Sequence, residues 1–148
     1  MLDLPLPDEP ATTALGTAVA ALLQPGDAVL LSGPLGAGKS SLARGLIRAL
    51  TTPDEPVPSP TFTLVQTYEG ALPLAHFDLY RLNDGAEVDE LGLWDALDVG
   101  VAIIEWPERL GEAPPDRLCI EMRFADTGRT ARLTGHGAWS HRLARVSV

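Results

Sequence analysis

The segment Gly33-Pro34-Leu35-Gly36-Ala37-Gly38-Lys39-Ser40 fits the phosphate-loop pattern G-x-x-x-x-G-K-[ST] at every fixed position. It follows the short apolar run Ala28-Val29-Leu30-Leu31, which predicts a buried strand. It precedes residues 41–50, whose apolar side chains recur at helical spacing. Because a strand, a glycine-rich turn and a helix in this order are the context in which the pattern binds phosphate, the sequence predicts a nucleoside triphosphate site.

Each residue type in this loop has a physical reason to be there. Gly33, Gly36 and Gly38 allow backbone conformations that a Cβ atom disfavours, so successive N–H groups can point at a β-phosphate at the helix N-terminus. We expect Lys39 to reach the β- and γ-phosphates and the Ser40 hydroxyl to ligate Mg²⁺. The alternative, a chance glycine turn before an ordinary helix, is disfavoured by the flanking strand and helix.

Length and composition favour a single domain covering residues 1–148. The chain has 148 residues, of which 45% are hydrophobic, enough to form one core. Its apolar runs are too short to cross a bilayer, and its N-terminus lacks the features of a signal peptide, so we expect a cytoplasmic protein with no membrane partner. Cys119 is the only cysteine, and we interpret it as a small apolar strand residue with no chemical role.

The net charge of −9, from 20 acidic and 11 basic side chains, argues against autonomous nucleic-acid binding. Arginines are concentrated towards the C-terminus, where a basic face could contact a phosphate or an acidic protein. Scattered arginines on exposed strands are the commoner explanation. We therefore expect any contact with RNA to need a partner.

Periodicity and turn residues predict the remaining elements. Helices are predicted at 11–23, 87–91 and 93–97, and strands at 62–68, 74–79, 101–104, 117–124, 130–133 and 141–148. The first two of these strands should form a hairpin, residues 5–10 should be extended, 51–60 should form a proline-rich surface loop, and 83–85 should form a turn. The predicted fold class is α/β, a P-loop NTPase-like sheet with helices on both faces and added antiparallel strands.

Two carboxylates are candidates to hold Mg²⁺ or to orient the attacking group. Asp78 and Glu105 each end an apolar strand, and in an open parallel sheet both ends would face the crevice beside the phosphate loop. For each alone, a capping or solvated carboxylate is an equally good interpretation. His76 is interpreted as a structural hydrogen-bonding residue rather than a catalytic base. Trp106 is interpreted as a core or rim aromatic that could also pack on a mobile loop.

Several stretches, in order along most of the chain, together resemble the TsaE family, the small bacterial ATPases of tRNA threonylcarbamoyladenosine synthesis. They are residues 5–9, 33–41 with 44–45, 59–65 (SPTFTLV), 76–82 (HFDLYRL) and 104–107 (IEWP). The resemblance implies an α/β P-loop fold, ATP and Mg²⁺ as cofactors, and a slow intrinsic ATPase. It also implies assembly with the TsaB–TsaD pair, in which TsaD transfers the threonylcarbamoyl group to the adenosine beside the anticodon.

The resemblance further implies roles for individual residues. Catalytic roles would belong to Lys39, Asp78 and Glu105, and the Mg²⁺ ligands would be Ser40 and Glu105. The implied nucleotide contacts are Glu9, Thr12, Gly33, Leu35, Gly36, Ala37, Gly38, Lys39, Ser40, Ser41, Thr61, Trp106 and Arg129. This chain has Pro34 where the family often has Asp, and serines at 40 and 41 where it often has threonines. Serine supplies the same hydroxyl, and position 34 is variable in the loop pattern.

Three other functions deserve comparison. A small-molecule or nucleotide kinase of P-loop type would need an acceptor pocket and usually an arginine-rich lid, yet Arg81 is the only arginine between Arg48 and Arg109. A regulatory GTPase would carry an N-K-x-D signature, which is absent. A scaffold with a relic site is disfavoured because the lysine, serine and both carboxylates of the site are intact.

Overall fold

The computed structural model of the chain describes residues 1–58, 64–80 and 91–147. Its helices are Glu9–Ala20 (α1), Lys39–Leu50 (α2), Leu93–Val99 (α3) and Trp139–Arg142 (α4), with 3₁₀ turns at Pro107–Arg109 and Leu143–Arg145. Its strands are Leu2–Leu6 (β1), Ala28–Ser32 (β2), Val65–Tyr68 (β3), Leu74–Asp78 (β4), Val101–Glu105 (β5), Arg117–Phe124 (β6) and Arg129–His136 (β7). Within these described ranges, every helix is too short or too polar to cross a bilayer.

The strands form one mixed sheet in the order β1-β7-β6-β2-β5-β4-β3. Its centre is parallel, because β2 pairs in parallel with both β5 and β6, and β5 pairs in parallel with β4. Antiparallel strands extend both edges: β3 pairs with β4, β7 with β6, and β1 with β7. The predicted α/β fold with added antiparallel strands is confirmed, as is the hairpin of β3 and β4.

Helices cover both faces of the central strands, which explains why β2 and β5 are continuous apolar runs. On β2, Val29 and Leu31 belong to the core cluster beneath α1 and α2, whereas Leu30 belongs to the cluster that contains Leu93 and Leu97 of α3. Alternate side chains of a strand point to opposite faces, so each strand contributes to both clusters. The prediction of helices on both faces is confirmed.

Two glycines allow α1 and α2 to pack in close contact. A Cβ atom added to Gly16 would lie 2.8 Å from the backbone nitrogen of Leu46, and one added to Gly45 would lie 3.0 Å from the carbonyl oxygen of Thr13. Any larger residue would push the helices apart, since backbone atoms cannot move aside as a flexible side chain can. The pair of glycines therefore sets the distance between α1 and α2.

The predicted C-terminal strand at 141–148 is wrong. After β7 the chain turns at Gly137, which has a φ of 62°, and continues into α4 and a 3₁₀ turn. Trp139 and Leu143 are buried in the core beneath the helices, and Val146 packs against it. Their spacing of i, i+4 and i+7 places all three on one side of a helix, whereas a strand would send the last to the opposite face.

The N-terminus is more ordered than the predicted extended segment at 5–10. Residues of β1 pair with β7 from Leu2 opposite Leu133 to Leu6 opposite Arg129. The first helix begins two residues earlier than predicted because Asp8 caps it, its Oδ1 accepting a hydrogen bond from the Ala11 N–H at 3.0 Å. The predicted turn at 83–85 and most of the predicted helix at 87–91 lie outside the described residues.

Candidate nucleotide-binding site

The phosphate loop joins the carboxyl end of β2 to the first turn of α2. Gly33, Gly36 and Gly38 have φ angles of 134°, 80° and 104°, values that favour glycine. A Cβ atom at Gly33 would lie only 2.4 Å from the carbonyl oxygen of Met122 on β6, so the loop is also packed against the sheet. Leu35 is 79% exposed at the tip of the loop, whereas Ala37 is buried. This arrangement supports the predicted phosphate cradle.

Lys39 is buried at the start of α2, and its ammonium group rests on an aromatic side chain. Its Nζ lies 4.1 Å from the centroid of the Trp106 ring. Trp106 follows β5 in the left-handed region, with φ 60° and ψ 54°, and its ring lies 4.8 Å from that of Tyr80. Among the described residues, no carboxylate forms an ion pair with Lys39. A cation–π contact of about 0.5–2 kcal/mol leaves this cation available to phosphate.

The two predicted carboxylates lie side by side at the same end of the sheet. Asp78 of β4 is directly opposite Glu105 of β5, and Glu105 is in turn opposite Leu31, near the end of β2. Glu105 is buried, and its Oε2 lies 2.7 Å from Nε2 of His76. Asp78 is half-buried, and its Oδ1 accepts a hydrogen bond from the Tyr80 N–H at 3.1 Å. The parallel pairing thus brings both acids next to the phosphate loop.

Asp78 has a perturbed acidity at this position. Burial raises the pKa of its carboxyl, and the negative charge of Glu105 raises it further, while the Tyr80 N–H, His76 and Lys39 act in the opposite direction. A cation bound beside Asp78 and Glu105 would offset the burial and the negative charge that raise the pKa of Asp78. The electrostatics therefore fit a magnesium-binding position.

A cavity of about 260 Å³ adjoins the phosphate loop. Its walls come from distant parts of the chain: the β1–α1 connection, the start of α1, the phosphate loop, α2 and the start of β7. They include Glu9, Thr12, Gly36, Gly38, Ser41 and Arg129. The guanidinium of Arg129 donates two hydrogen bonds to the Gly36 carbonyl, at 3.1 and 3.3 Å, and stacks on the Phe124 ring at 4.5 Å. Arg129 thereby links β7 to the phosphate loop.

Two residues that line this cavity, Glu9 and Ser41, interact with each other, and Glu9 also contacts Arg44 of α2. The Ser41 hydroxyl donates a hydrogen bond to Oε1 of Glu9 at 3.3 Å, and the same oxygen lies 3.8 Å from the Arg44 guanidinium. Ser40 makes no such contact with any residue that the structure describes, and it is exposed in the first turn of α2. Its hydroxyl is therefore free to take a ligand, whereas that of Ser41 is engaged with α1.

Comparison with known proteins supplies the family. The family model described as threonylcarbamoyl adenosine biosynthesis protein TsaE matches residues 6–133. The chain belongs to the TsaE family. Among curated relatives named tRNA threonylcarbamoyladenosine biosynthesis protein TsaE, those of Nostoc sp. and Synechocystis sp. are 40% and 49% identical. The matches cover 87% and 74% of this chain and 83% and 72% of the relatives, respectively.

A solved structure supports the same assignment for the fold. The crystal structure of YdiB from Bacillus subtilis superposes with a TM-score of 0.75 at 31% identity, covering 97% of this chain and 90% of that one. The TsaE protein of Bacillus subtilis is 38% identical over 130 residues, which is 85% of this chain and 80% of the relative. The recognition made from the sequence motifs is confirmed.

The residues of this TsaE-family chain fit a magnesium–nucleotide site better than a free metal site. Within the described ranges, no group of three or more His, Cys, Asp and Glu side chains could hold a metal ion by itself. The available donors are the exposed hydroxyl of Ser40 and the carboxylates of Asp78 and Glu105. Mg²⁺ commonly binds one or two protein oxygens together with substrate phosphates and waters, so this sparse set is sufficient.

Sequence reasoning overlooked two aromatic side chains of this TsaE-family site. Tyr80 stacks on Trp106, and Phe124 supports Arg129. Both are 54% exposed, and exposed aromatic residues beside a predicted site would have been the available signal. The predicted contact at Thr61 lies outside the described residues and stays a prediction.

Proposed function

We propose that this TsaE-family chain binds ATP with Mg²⁺ and hydrolyses it, working with the TsaB–TsaD pair in tRNA threonylcarbamoyladenosine synthesis. The observation that carries this proposal is the convergence of three features at one end of a parallel sheet: a glycine-rich cradle, a lysine that forms no ion pair with a described residue, and two adjacent carboxylates. The alternative of a small-molecule kinase shares the loop, but membership of the TsaE family favours the ATPase.

Each part of the site has a distinct task in this proposal. The N–H groups of the loop bind the phosphates, and Lys39 exchanges its contact with Trp106 for the β- and γ-phosphates. Ser40 and Glu105 hold Mg²⁺, which when bound offsets negative charge on the phosphate oxygens. Asp78 lies beside Glu105 and orients the attacking water. Such positioning and electrostatic stabilisation supply most of the catalysis in phosphoryl transfer.

The nucleoside would occupy the cavity beside the loop. A volume of about 260 Å³ is close to the lower bound of roughly 300 Å³ for pockets that enclose a whole ligand. It suits the base and ribose, while the phosphates lie on the loop. Arg129 and the carboxylate of Glu9 would contact this part of the nucleotide, together with Thr12.

The proposed partners follow from the family and from charge. The curated relatives are named for tRNA threonylcarbamoyladenosine biosynthesis. With a net charge of −9, this chain has few basic side chains to displace counterions from RNA, so tRNA would be bound through TsaB and TsaD. A cytoplasmic location is expected for the same assembly.

Calorimetry with ATP and Mg²⁺ tests the site directly. We expect Lys39→Ala to weaken binding by about ten- to over a hundredfold, because charge-assisted bonds to phosphate contribute roughly 1.5–3 kcal/mol. Arg48→Ala is the matched control, since Arg48 is on the same helix but donates to the Glu55 carbonyl. Unchanged ATP affinity in a folded Lys39→Ala protein would refute the phosphate-loop assignment.

Turnover measurements test the proposed activity. Phosphate release from ATP should be slow for the chain alone and faster when the purified TsaB–TsaD pair is added. If phosphate were instead transferred to a small-molecule acceptor and the pair had no effect, the kinase alternative would replace the ATPase.

A further inference from the structure

One buried polar side chain near the site has no role in the function proposed above. His76 is only 3% exposed, and it lies on β4 between apolar neighbours. On β4 and β5, Leu74, Val101 and Ile103 belong to the core cluster beneath α1 and α2. Because alternate residues share a face, His76, Asp78 and Glu105 point to that same side of the sheet. An imidazole therefore stands where a continuous core would place an aliphatic side chain.

Among the described residues, His76 makes one side-chain hydrogen bond, which is with Glu105. Nε2 of His76 lies 2.7 Å from Oε2 of Glu105, whereas Nδ1 is buried without a hydrogen-bond partner among the described residues. A carboxylate can only accept a hydrogen bond, so Nε2 carries the hydrogen and donates it. The ring is thus oriented by its packing and by this one bond.

We propose that His76 is a positioning residue that holds the Glu105 carboxylate in the orientation required to bind Mg²⁺ beside the phosphate loop. This inference rests on the proposed function, which gives Glu105 its metal. His76 anchors Oε2 from the core side, so the other carboxylate oxygen is the one that would bind Mg²⁺. Protein carboxylates that bind metals are commonly oriented by such a second hydrogen bond, and loss of the partner typically lowers metal affinity about 10- to 100-fold.

The test measures how much Mg²⁺ improves the binding of a non-hydrolysable ATP analogue. The magnesium effect is defined as the ratio of the analogue's Kd in EDTA to its Kd in saturating Mg²⁺, both by calorimetry. We expect His76→Phe, which keeps an aromatic ring but cannot donate, to reduce the magnesium effect about 10- to 100-fold. Its affinity for the analogue in EDTA should be unchanged, because the phosphate loop is intact.

Two amide variants distinguish positioning from packing. The amide of His76→Gln can place a donor near the position of Nε2, so it should retain most of the magnesium effect. The amide of His76→Asn is too short to do so, and this variant should lose as much of the magnesium effect as His76→Phe. His76→Asn therefore still tests the inference if His76→Phe does not fold. A Gln variant that fails as badly as Phe, or a folded Phe variant with the wild-type magnesium effect, would overturn the inference.

Glu105→Gln separates failure of this inference from failure of the proposed function. Combined with His76→Phe, it should cause no further loss, since both substitutions remove the same interaction with Mg²⁺. If Glu105→Gln loses the magnesium effect while both His76→Phe and His76→Asn keep it, only the positioning role of His76 is overturned. A wild-type protein with no magnesium effect would overturn the metal site and the inference together.

Discussion

A buried pair of polar side chains lies at each end of strand β2, and the two pairs differ in how completely their hydrogen-bonding groups are satisfied. At the amino end, Asp27 pairs with Arg142 of α4, with side chains only 3% and 11% exposed. At the carboxyl end, beyond which the phosphate loop begins, His76 pairs with Glu105, with side chains 3% and 10% exposed. Burial is nearly the same, so burial alone does not separate a structural pair from a functional one.

The difference lies in the remaining hydrogen-bonding groups. Asp27 also accepts from the Gln24 N–H at 2.7 Å, and Arg142 also donates to the Leu22 carbonyl at 3.3 Å and stacks on Trp139 at 4.9 Å. The hydrogen-bond and stacking partners of Asp27 and Arg142 at the amino end are thus all groups of the protein itself. At the other end, the hydrogen bond from His76 is the one that Glu105 forms with a described side chain, and Glu105 lies opposite a second acid, Asp78, which leaves it able to bind a cation.

The largest expected effect concerns the Asp27–Arg142 pair at the amino end of β2. Arg142→Ala should lower the free energy of unfolding by about 3–5 kcal/mol, because it leaves a buried carboxylate without its counter-charge. Burial already raises the pKa of Asp27. Urea unfolding measures the loss, and Arg132→Ala, which breaks an exposed pair with Asp3, should cost much less. Equal losses in the two variants would remove the distinction drawn for this end of the strand.

The next effect concerns the His76–Glu105 pair at the carboxyl end of β2. It should appear in the rate of ATP hydrolysis instead of the free energy of unfolding. Glu105→Gln keeps an oxygen that can accept from His76 but loses the charge, so folding and assembly with TsaB–TsaD should survive. Partner-stimulated ATP hydrolysis should fall at least ~10²-fold, or about 2.7 kcal/mol of barrier. A variant that unfolds easily yet hydrolyses ATP normally would show that this pair, too, is structural.

The smallest effect is a pH dependence at Asp78. Because its pKa is raised in the folded protein, its contribution to stability is complete below the unfolded pKa of about 3.9 and is lost as pH rises through the folded value. Asp78→Asn should therefore be at least as stable as the wild type at neutral pH and should lose that advantage in acid, while hydrolysis still falls.

Urea midpoints at several pH values measure this dependence. Asp3→Asn provides a control of opposite sign, since the hydrogen bond from Arg132 lowers the pKa of Asp3. Asp3 stabilises the fold above its unfolded pKa, and that contribution is lost as pH falls through the folded value. An Asp78→Asn variant less stable than wild type at neutral pH would show that the carboxylate is held favourably rather than under strain.

These two ends also differ in how well the sequence predicts them. The phosphate loop, Asp78 and Glu105 are recognisable because each depends on local signals: a motif, a short apolar strand and the residue that ends it. Parallel pairing then brings strand ends together without further information. The site at the carboxyl end of β2 is therefore largely predictable.

The amino end depends on contacts between distant segments, which periodicity does not report. The pairing of Asp27 with Arg142 requires α4, where the sequence analysis predicted a strand. Two contacts at the carboxyl end are equally hard to predict. The hydrogen bond from Arg129 to Gly36 of the phosphate loop joins residues 93 positions apart. The bond from His76 to Glu105 needs the register of β4 against β5, which follows from the fold and not from either strand alone.

The close contact of α1 with α2 has a consequence for ligand selection. Helix α1 brings Glu9 and Thr12 to the cavity beside the phosphate loop, and α2 brings Ser41. Gly16 and Gly45 do not line that cavity, yet they set the distance between α1 and α2 and therefore the distance between these two walls. Glycine in a helix interior costs up to about 1 kcal/mol relative to alanine. Two residues without side chains thus set the width of the cavity that we propose for the base, at some cost to the stability of the two helices.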